Sequence, residues 1–455
     1  MRIDVAPDGS LAAVEPGSPR DGATLLDGPV VPGMPNAHSH VAQRALAGRT
    51  EGAGPAGDSF WSWRSTMYAF VGALEPAAFE AIAADAFAAM LEAGYTSVAE
   101  FHYLHHAPDG SPYADPAEMS ERVVAAARAA GIGLTVLPVL YRYAGAGGVA
   151  PLARQRRFIT EPAAFAQMWA QLAARYRAAS DVRLGAAFHS LRAVEPADIA
   201  ATLDALERAA PGAPPPLHVH LAEQSGEVDE VRAAYGAPPL EVLARTVALG
   251  PRWSLIHATQ SSPADARRIA AADATVVLCP TTEANLGDGI FPLAAFREAG
   301  GCVAIGSDSN VTLDVAEELR WLEYAQRLAE RRRHVFGSAG AATLGEALYR
   351  AALRGGARAL ALPVGALAPG LRADLVVLRT LDDADDTAPP SLDAYVFASG
   401  RDRVREVMCG GRFVVRDGAH SERAALRARA LQAARATRAA IASTTAGSSG
   451  NDGSV

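Results

Sequence analysis

Short apolar segments alternate with longer amphipathic segments between about residue 35 and residue 310 of the chain. The longer segments, such as 76–94, carry apolar residues three and four positions apart, and several end at glycine, a common residue at helix ends. This alternation is typical of repeated strand–helix units. It predicts eight strands, at 33–40, 95–103, 133–141, 182–190, 215–223, 252–259, 274–282 and 302–310.

Eight strand–helix units favour a (β/α)8 barrel of the TIM type over an open doubly wound sheet, which usually has fewer strands and a glycine-rich phosphate turn that this chain lacks. We predict that the barrel covers residues 32–364. Residues 1–31 and 365–420 contain short strand-like segments and turns, and together predict one small β-sandwich domain built from both chain ends. The segment 421–455 predicts a C-terminal helix and then a flexible tail with too few apolar residues to fold.

The composition is that of a globular protein with a large core, since 50% of the 455 residues are hydrophobic. A net charge of −8 and the lack of a long basic segment argue against general nucleic-acid binding, which depends on neutralising phosphates. The chain has no apolar run of membrane-spanning length and no secretion signal. The three cysteines are far apart and are expected to be reduced thiols. We therefore expect a cytoplasmic location and no membrane partner.

All 42 basic side chains of the chain are arginine. No lysine is present to form a Schiff base, to bind phosphate in a loop, or to be carboxylated and bridge two metal ions. Any metal site in this protein is therefore expected to hold a single ion.

Polar side chains gather near the ends of the predicted strands. In a (β/α)8 barrel, the carboxyl ends of all strands meet at one catalytic face, so these side chains are expected to lie close together. His38 and His40 are two positions apart on one strand and would point to the same side, where both can bind one ion. The strand-end residues are His38, His40, His102, Tyr103, His189, His220, Glu223, His257 and Asp308.

Several of these residues form a donor set suited to a metal ion. Zinc favours imidazole nitrogen and carboxylate oxygen, and a catalytic zinc site leaves one position open for water. Three histidines and an aspartate can supply the ligands, which leaves His257 to handle the water. Iron(II) accepts the same donors, so the prediction is one Zn²⁺ ion, with Fe²⁺ as the alternative.

Four motifs occur in an order and at strand positions that resemble the amidohydrolase superfamily: "NAHSH" (36–40), "HVHLAE" (218–223), "LIHAT" (255–259) and "GSDS" (306–309). The resemblance extends over nearly the whole chain. It implies that His38, His40, His220 and Asp308 bind Zn²⁺, and that His257 orients or deprotonates the water. His220 is preferred to His218 because Glu223 follows it by three residues, as in the HxxE arrangement of the deaminases.

Three further stretches, 58–68, 100–106 and 188–194, resemble one branch of that superfamily, the N-formimino-L-glutamate deiminases. This resemblance implies that the substrate is held by Gln43, Arg64, Tyr103, His189 and Arg192. Two arginine forks suit a substrate with two carboxylates, because guanidinium binds carboxylate in a bidentate way. The alternative interpretation is that both arginines are surface residues, the ordinary location of arginine. Trp61 and Trp63 are expected to pack the loop rather than to contact substrate.

The resemblance implies hydrolysis of the C=N group of N-formimino-L-glutamate, an intermediate of histidine degradation, to N-formyl-L-glutamate and ammonia. His257, assisted by Asp308, would take a proton from the water, and Glu223 would bind the imino nitrogen and deliver a proton to the leaving ammonia. The division of proton transfers among the three is left open. The same resemblance implies a homodimer. Two alternatives remain: a purine-type or pyrimidine-type aminohydrolase with the same metal ligands, and a non-catalytic scaffold of the same fold.

Overall fold

The computed structural model describes residues 1–17, 22–51, 60–337, 340–380 and 392–449. Within these ranges the strands are β1 (Arg2–Val5), β2 (Leu11–Glu15), β3 (Val30–Pro32), β4 (Met34–Ser39), β5 (Tyr95–His102), β6 (Gly133–Leu140), β7 (Val182–Leu184), β8 (Ala186–Phe188), β9 (Leu217–Leu221), β10 (Trp253–His257), β11 (Thr275–Leu278), β12 (Cys302–Ile305), β13 (Leu375–Leu378), β14 (Val404–Cys409), β15 (Arg412–Arg416) and β16 (Ala419–His420).

The α-helices of the same ranges are α1 (Phe60–Gly72), α2 (Pro76–Glu92), α3 (Glu118–Ala130), α4 (Pro162–Tyr176), α5 (Pro196–Ala209), α6 (Ser225–Tyr235), α7 (Pro239–Thr246), α8 (Pro263–Ala271), α9 (Pro280–Leu286), α10 (Leu293–Glu298), α11 (Val315–Glu330), α12 (Leu344–Leu360) and α13 (Arg423–Ser449). Among the described residues, no helix combines the length and the apolar character needed to cross a membrane.

The parallel strands form a nearly closed (β/α)8 barrel, as the sequence predicts. Their order is β4-β5-β6-β8-β9-β10-β11-β12, so consecutive strands of the chain are neighbours in the sheet. β7 also pairs with β6, and the predicted strand 182–190 is therefore two short strands separated at Gly185. A Cβ atom at Gly185 would lie 2.4 Å from Cδ2 of Leu137, so glycine is the residue that fits this break.

The barrel strands are buried on both faces, because helices cover the outside and side chains fill the inside. Every residue of β5 and β6 is buried, as expected for strands of a covered parallel sheet. α12 packs against β12 and β4 at very close range. A Cβ atom at Gly355 would lie 2.0 Å from the Val303 carbonyl oxygen, and one at Gly356 would lie 2.8 Å from Cβ of Pro35. These two glycines therefore set the position of the strands that carry the first histidines and Asp308.

The barrel closes where β4 meets the end of β12. A single isolated bridge joins Ser39 and Asp308. The amide of His40 donates to the Asp308 carbonyl oxygen at 2.8 Å, and the amide of Asp308 donates to the His38 carbonyl oxygen at 3.0 Å. The closing contact of the barrel thus lies at its carboxyl end.

Both chain ends contribute to the smaller antiparallel sheets, as predicted. β3 from the N-terminal part pairs with β13 in a five-stranded sheet ordered β16-β15-β14-β13-β3, and β1 pairs with β2. A separate small core lies between the two sheets and is formed by Leu11, Ala373, Leu375, Val377 and Met408. The domain boundaries at residues 31 and 364 stay predictions.

A long C-terminal helix follows these sheets. α13 packs against α2, where Arg423 and Arg427 form ion pairs with the buried Asp85 at 2.5 and 2.9 Å. The helix continues to Ser449 and so extends into the polar end of the segment 421–455, where the sequence predicts a flexible tail. Residues 450–455 lie outside the described part of the chain.

Candidate active site

Four predicted metal ligands converge at the carboxyl end of the barrel. His38 lies on β4 and His40 directly follows that strand, His220 comes from β9, and Asp308 follows β12. The Nε2 atoms of His38 and His40 lie 3.4 and 3.3 Å from Oδ1 of Asp308, and Nε2 of His220 lies 3.1 Å from Nε2 of His38. All four side chains are buried. The sequence patterns therefore identified residues that the fold brings into one cluster.

The orientation of the imidazole rings makes this cluster suitable for a metal ion. Nδ1 of His40 lies 2.8 Å from the Phe101 carbonyl oxygen, and Nδ1 of His220 lies 3.0 Å from the carbonyl oxygen of His189. A carbonyl can only accept, so each Nδ1 carries the proton and each Nε2 presents a lone pair to the cluster. Burial lowers the pKa of His38 to about 3, which keeps that ring neutral as well. Neutral imidazoles with converging lone pairs and one carboxylate fit a divalent cation.

His257 lies beside this cluster among acidic side chains. Its Nε2 atom is 3.8 Å from Oδ2 of Asp308 and 3.9 Å from Oε1 of Glu223, and its Nδ1 atom is 3.2 Å from Oε1 of Glu283. Burial alone would lower the pKa of His257, but the surrounding carboxylates outweigh burial and raise it to about 10. The ring is placed to exchange protons with groups near the metal ligands. His257 is also within ligand range of His38 and His220, so geometry alone allows it a second role.

Glu283 was not identified from the sequence, although it contacts His257. It lies in the first turns of α9 and also accepts a hydrogen bond from the amide of Cys279 at 2.9 Å. Both contacts fix the carboxylate next to Nδ1 of the ring. Its position in the sequence could have identified it, because Glu283 directly follows the predicted strand 274–282. The sequence analysis names no candidate site residue at the end of that strand.

The backbone is strained at the residues that carry this chemistry. His257, Ala258, Asp308 and Asn310 have φ angles of 68°, 52°, 45° and 56°, in the left-handed region that non-glycine residues rarely occupy. The Asn310 side chain supports this conformation by donating to the Asp308 carbonyl oxygen at 2.9 Å. Such conformations cluster at functional sites, where the surrounding structure maintains them.

One cavity brings the predicted substrate residues together with the catalytic group. Its lining includes Glu223 and His257 together with residues of α1. All five predicted substrate residues line it. The lining consists of His40, Gln43, Trp63, Arg64, Met67, Tyr68, Tyr103, His189, Arg192, His220, Glu223, His257, Leu286 and Asp308.

The two arginines of the cavity are not surface residues. Arg192 is 4% exposed, and its guanidinium lies 3.9 Å from Oε2 of Glu223 and 4.0 Å from Oε2 of Glu227. Arg64 is half-buried, and the hydroxyl oxygens of Tyr68 and Tyr141 accept hydrogen bonds from it at 2.7 and 3.2 Å. The alternative interpretation of both arginines as surface residues does not agree with these positions.

The remaining substrate residues form a second polar group in the cavity. Nε2 of Gln43 donates to the Tyr103 hydroxyl at 3.3 Å, and the Tyr103 ring packs edge-on against His189 at 5.8 Å. Oε1 of Gln43 is buried and has no hydrogen-bond partner among the described residues. Burial raises the pKa of Tyr103, so its hydroxyl stays protonated and can donate. The hydroxyl donates to Sδ of Met67 at 3.4 Å, and the Tyr103 ring lies 5.5 Å from that of His40, so this polar group adjoins the histidine cluster.

Three other residues that the sequence analysis considers, His102, His218 and Trp63, lie apart from the predicted metal ligands. His102 contacts the Ser120 hydroxyl at 2.9 Å, and His218 contacts the Ala359 carbonyl oxygen at 2.9 Å, so both are core histidines with polar partners. Trp63 is partly buried against the core and lines the cavity. The side chain of Trp61 lies outside the described part of the structure.

A barrel with an imidazole and carboxylate cluster at its carboxyl end defines a metal-dependent hydrolase of the amidohydrolase type. The sequence profile of the amidohydrolase family matches residues 30–414, and this chain belongs to that family. It is 50% identical over 429 residues to the formimidoylglutamate deiminase of Pseudomonas aeruginosa, and the match covers 93% of each protein.

Two solved structures extend the comparison. The structure of an amidohydrolase from Brucella melitensis has a TM-score of 0.85 and 40% identity, covering 96% of this chain and 95% of that one. An adenosine deaminase from Xanthomonas campestris, solved with bound zinc, has a TM-score of 0.77 at 23% identity and covers 96% of this chain and 93% of that one. At that identity, the second structure supports the fold alone.

Proposed function

We propose that this protein hydrolyses N-formimino-L-glutamate to N-formyl-L-glutamate and ammonia. The observation that carries the proposal is the union, in one cavity, of the histidine and aspartate cluster with two inward-facing arginines. The relative from Pseudomonas aeruginosa, named formimidoylglutamate deiminase, supports the same substrate. In the reaction, water adds to the C=N carbon, the C–N bond to the imino nitrogen breaks, and that nitrogen leaves as ammonia.

We propose that His38, His40, His220 and Asp308 hold one Zn²⁺ ion, with Fe²⁺ as the alternative. The ring orientations and neutral imidazoles described above support this ligand set. The chemistry that such an ion supplies when bound is a water whose pKa falls to about 7, so that a nucleophile is available at neutral pH.

The side chains around the ion would handle the protons. Nε2 of His257 lies close to both Asp308 and Glu223, so it is placed to take the proton released by the attacking water. Neutralisation of Asp308 as a metal ligand would weaken the carboxylate field that raises the pKa of His257, and would return the ring toward its neutral form. Glu223 would bind the imino nitrogen and deliver the proton that ammonia needs to leave.

The two carboxylates of the proposed substrate match the two arginines that line the cavity. Guanidinium groups bind carboxylates with paired, charge-assisted hydrogen bonds. Arg64 and Arg192 would supply these bonds, and Gln43, Tyr103 and His189 would add neutral donors. A purine or pyrimidine substrate has no carboxylate for these two guanidinium groups to bind, which disfavours the aminohydrolase alternative. A scaffold has no physical need for the metal ligands and acid–base residues.

A homodimer and a cytoplasmic location stay predictions. The three cysteines, Cys279, Cys302 and Cys409, are buried and unpaired, which supports a reducing environment. Sedimentation of the purified protein would measure the oligomeric state.

The proposal is tested by measuring ammonia release from purified, metal-loaded protein with N-formimino-L-glutamate, N-formimino-L-aspartate, guanine and cytosine. We expect the highest kcat/KM with formiminoglutamate and none above background with the two bases. Preference for guanine or cytosine would overturn the proposed substrate and favour the aminohydrolase alternative. Absence of ammonia release from every compound, despite bound metal, would favour the scaffold.

A further inference from the structure

The cavity wall that carries Arg64 contains a connected set of four polar side chains. Nε of Arg64 donates to the Tyr68 hydroxyl at 2.7 Å, and its Nη2 donates to the Tyr141 hydroxyl at 3.2 Å. The two hydroxyl oxygens are 3.2 Å apart. Nε2 of Gln155 lies 2.8 Å from the Tyr141 hydroxyl oxygen. We call Tyr68 and Tyr141 the tyrosine pair. Its hydrogen bonds determine the direction of each hydroxyl proton.

The amide of Gln155 has a defined orientation. Its Oε1 atom accepts a hydrogen bond from the backbone amide of Leu152 at 2.8 Å, so the opposite end of the side chain is the NH2 group. Gln155 is therefore a donor to Tyr141 and cannot accept the proton of that hydroxyl.

The Tyr141 hydroxyl is fully occupied as an acceptor. A phenolic oxygen accepts two hydrogen bonds and donates one. The Tyr141 oxygen accepts one hydrogen bond from Arg64 and one from Gln155. The guanidinium and the NH2 group only donate, so neither can accept the Tyr141 proton. Its own proton must consequently be donated to the oxygen of Tyr68.

The same reasoning leaves Tyr68 with a spare proton. Its oxygen accepts from Nε of Arg64 and from the Tyr141 hydroxyl, which uses both lone pairs. Among the residues that the structure describes, no acceptor lies within hydrogen-bond distance of the Tyr68 hydroxyl besides its partner in the pair. Tyr68 lines the cavity and is 5% exposed, whereas Tyr141 is not part of the described cavity lining. The spare donor is thus on the tyrosine that lines the cavity.

We propose that Tyr68 is a specificity-determining residue that donates its hydroxyl proton to a carboxylate oxygen of the substrate, beside the guanidinium of Arg64. A carboxylate only accepts hydrogen bonds, so it can accept this proton and lie beside the positive charge of Arg64. The proposal rests on the proposed function, because it assumes that the substrate brings a carboxylate to this wall.

The first test is Tyr68→Phe. The ring is retained, and with it the packing 5.3 Å from Phe158 and a ring face for the Arg64 guanidinium, whose central carbon lies 5.0 Å from the ring centroid. We expect kcat/KM for formiminoglutamate to fall at least about tenfold, the scale of one hydrogen bond to a charged group. The loss should lie in KM more than in kcat, with bound metal unchanged.

A double-mutant cycle with Arg64→Met separates direct contact from positioning. Tyr68→Phe also removes an acceptor of Arg64, so the single variant could act through the arginine alone. In that case adding Tyr68→Phe to the Arg64→Met variant would not lower kcat/KM any further. We expect a further loss of several-fold in that background, because the substrate carboxylate still loses the hydroxyl donor. No further loss would overturn the proposal. Calorimetric binding of N-formyl-L-glutamate to the same four proteins gives a second readout that does not depend on turnover.

The matched control is Tyr176→Phe. Tyr176 ends α4 and donates its hydroxyl proton to Glu121 at 2.6 Å, so the variant loses a tyrosine hydrogen bond away from the cavity. Its kcat/KM should equal that of the wild type. Wild-type protein that releases no ammonia from formiminoglutamate would refute the proposed function. Active wild type together with an unaffected Tyr68→Phe variant would refute the role of Tyr68 alone.

Discussion

The two sides of the cavity are built in different ways. On the strand-end side, backbone carbonyls orient His40 and His220, and backbone hydrogen bonds between β4 and the end of β12 locate Asp308. On the side of α1, Arg64 is oriented by hydroxyls of other side chains. The barrel itself fixes the side chains that bond to its backbone. Side chains that are oriented by other side chains can be substituted, together with their partners, without altering the barrel. We infer that reaction chemistry and substrate choice are separable in this protein.

The largest effect is expected from removing a metal ligand. His40→Ala or Asp308→Ala should lose bound metal and ammonia release together, because each variant removes one of the four donors proposed to hold the ion and leaves a gap in the ligand set. Elemental analysis and the ammonia assay would be run on the same preparations. The control is His218→Gln, on the same strand as His220, which should retain metal. Full metal content in an active His40→Ala or Asp308→Ala variant would refute the ligand set.

The next effect is expected at the proton-transfer position. His257→Asn should retain the metal and lower kcat by at least about 100-fold, the usual scale of general acid–base catalysis. KM should change little, since the ring is assigned to the strand-end side. Loss of metal from this variant would show that His257 is itself a ligand, and would revise the division of roles.

A smaller effect is expected from the arginines. Arg64→Met or Arg192→Met retains much of the apolar stem and removes the guanidinium, which should cost about 1.5 to 3 kcal/mol, or one to two decades in kcat/KM. The loss should largely vanish with an amidated substrate that lacks the corresponding carboxylate, and metal content should not change. If both variants process formiminoglutamate as the wild type does, the arginines do not bind the substrate carboxylates, and the inferred separation of substrate choice from reaction chemistry is wrong.

The smallest effect is expected from Tyr103→Phe. The variant loses a neutral hydroxyl that accepts from Gln43 and donates to Sδ of Met67, so a cost of about 0.5 to 1.5 kcal/mol in kcat/KM is expected. The ring contact with His189 remains. Measured values of kcat and KM would place the change mainly in KM, and a large fall in kcat with unchanged KM would assign Tyr103 to the chemical step instead of substrate binding.

The strand-end side could be predicted from the sequence because its signals are local. A buried parallel strand is a short apolar run, and a polar residue at its end reaches the catalytic face. This rule found the eight strand positions and the residues that meet there. It included His102 as well, but that ring is turned toward Ser120, because successive side chains of a strand alternate in direction.

The side of α1 was only partly predictable, because its contacts join distant parts of the chain. Tyr68 and Tyr141 are 73 positions apart, and Gln155 lies in a short turn that no periodic pattern marks. Tyr141 ends the predicted strand 133–141, so the strand-end rule could have identified it, but nothing local indicates its partners. Glu283 was missed for a similar reason, since it enters the site from a helix.

The contact that closes the barrel has a thermodynamic consequence. The residues that join β4 to the end of β12 are also proposed metal ligands or their immediate neighbours. Any ligand that binds only the closed arrangement stabilises it by mass action, so metal occupancy and closure are linked equilibria. The backbone amides of His40 and Asp308 should consequently exchange with deuterium more slowly as metal concentration rises, while amides in the middle of β6 should not respond. The same junction would be the first part of the barrel to open when the ion is withdrawn.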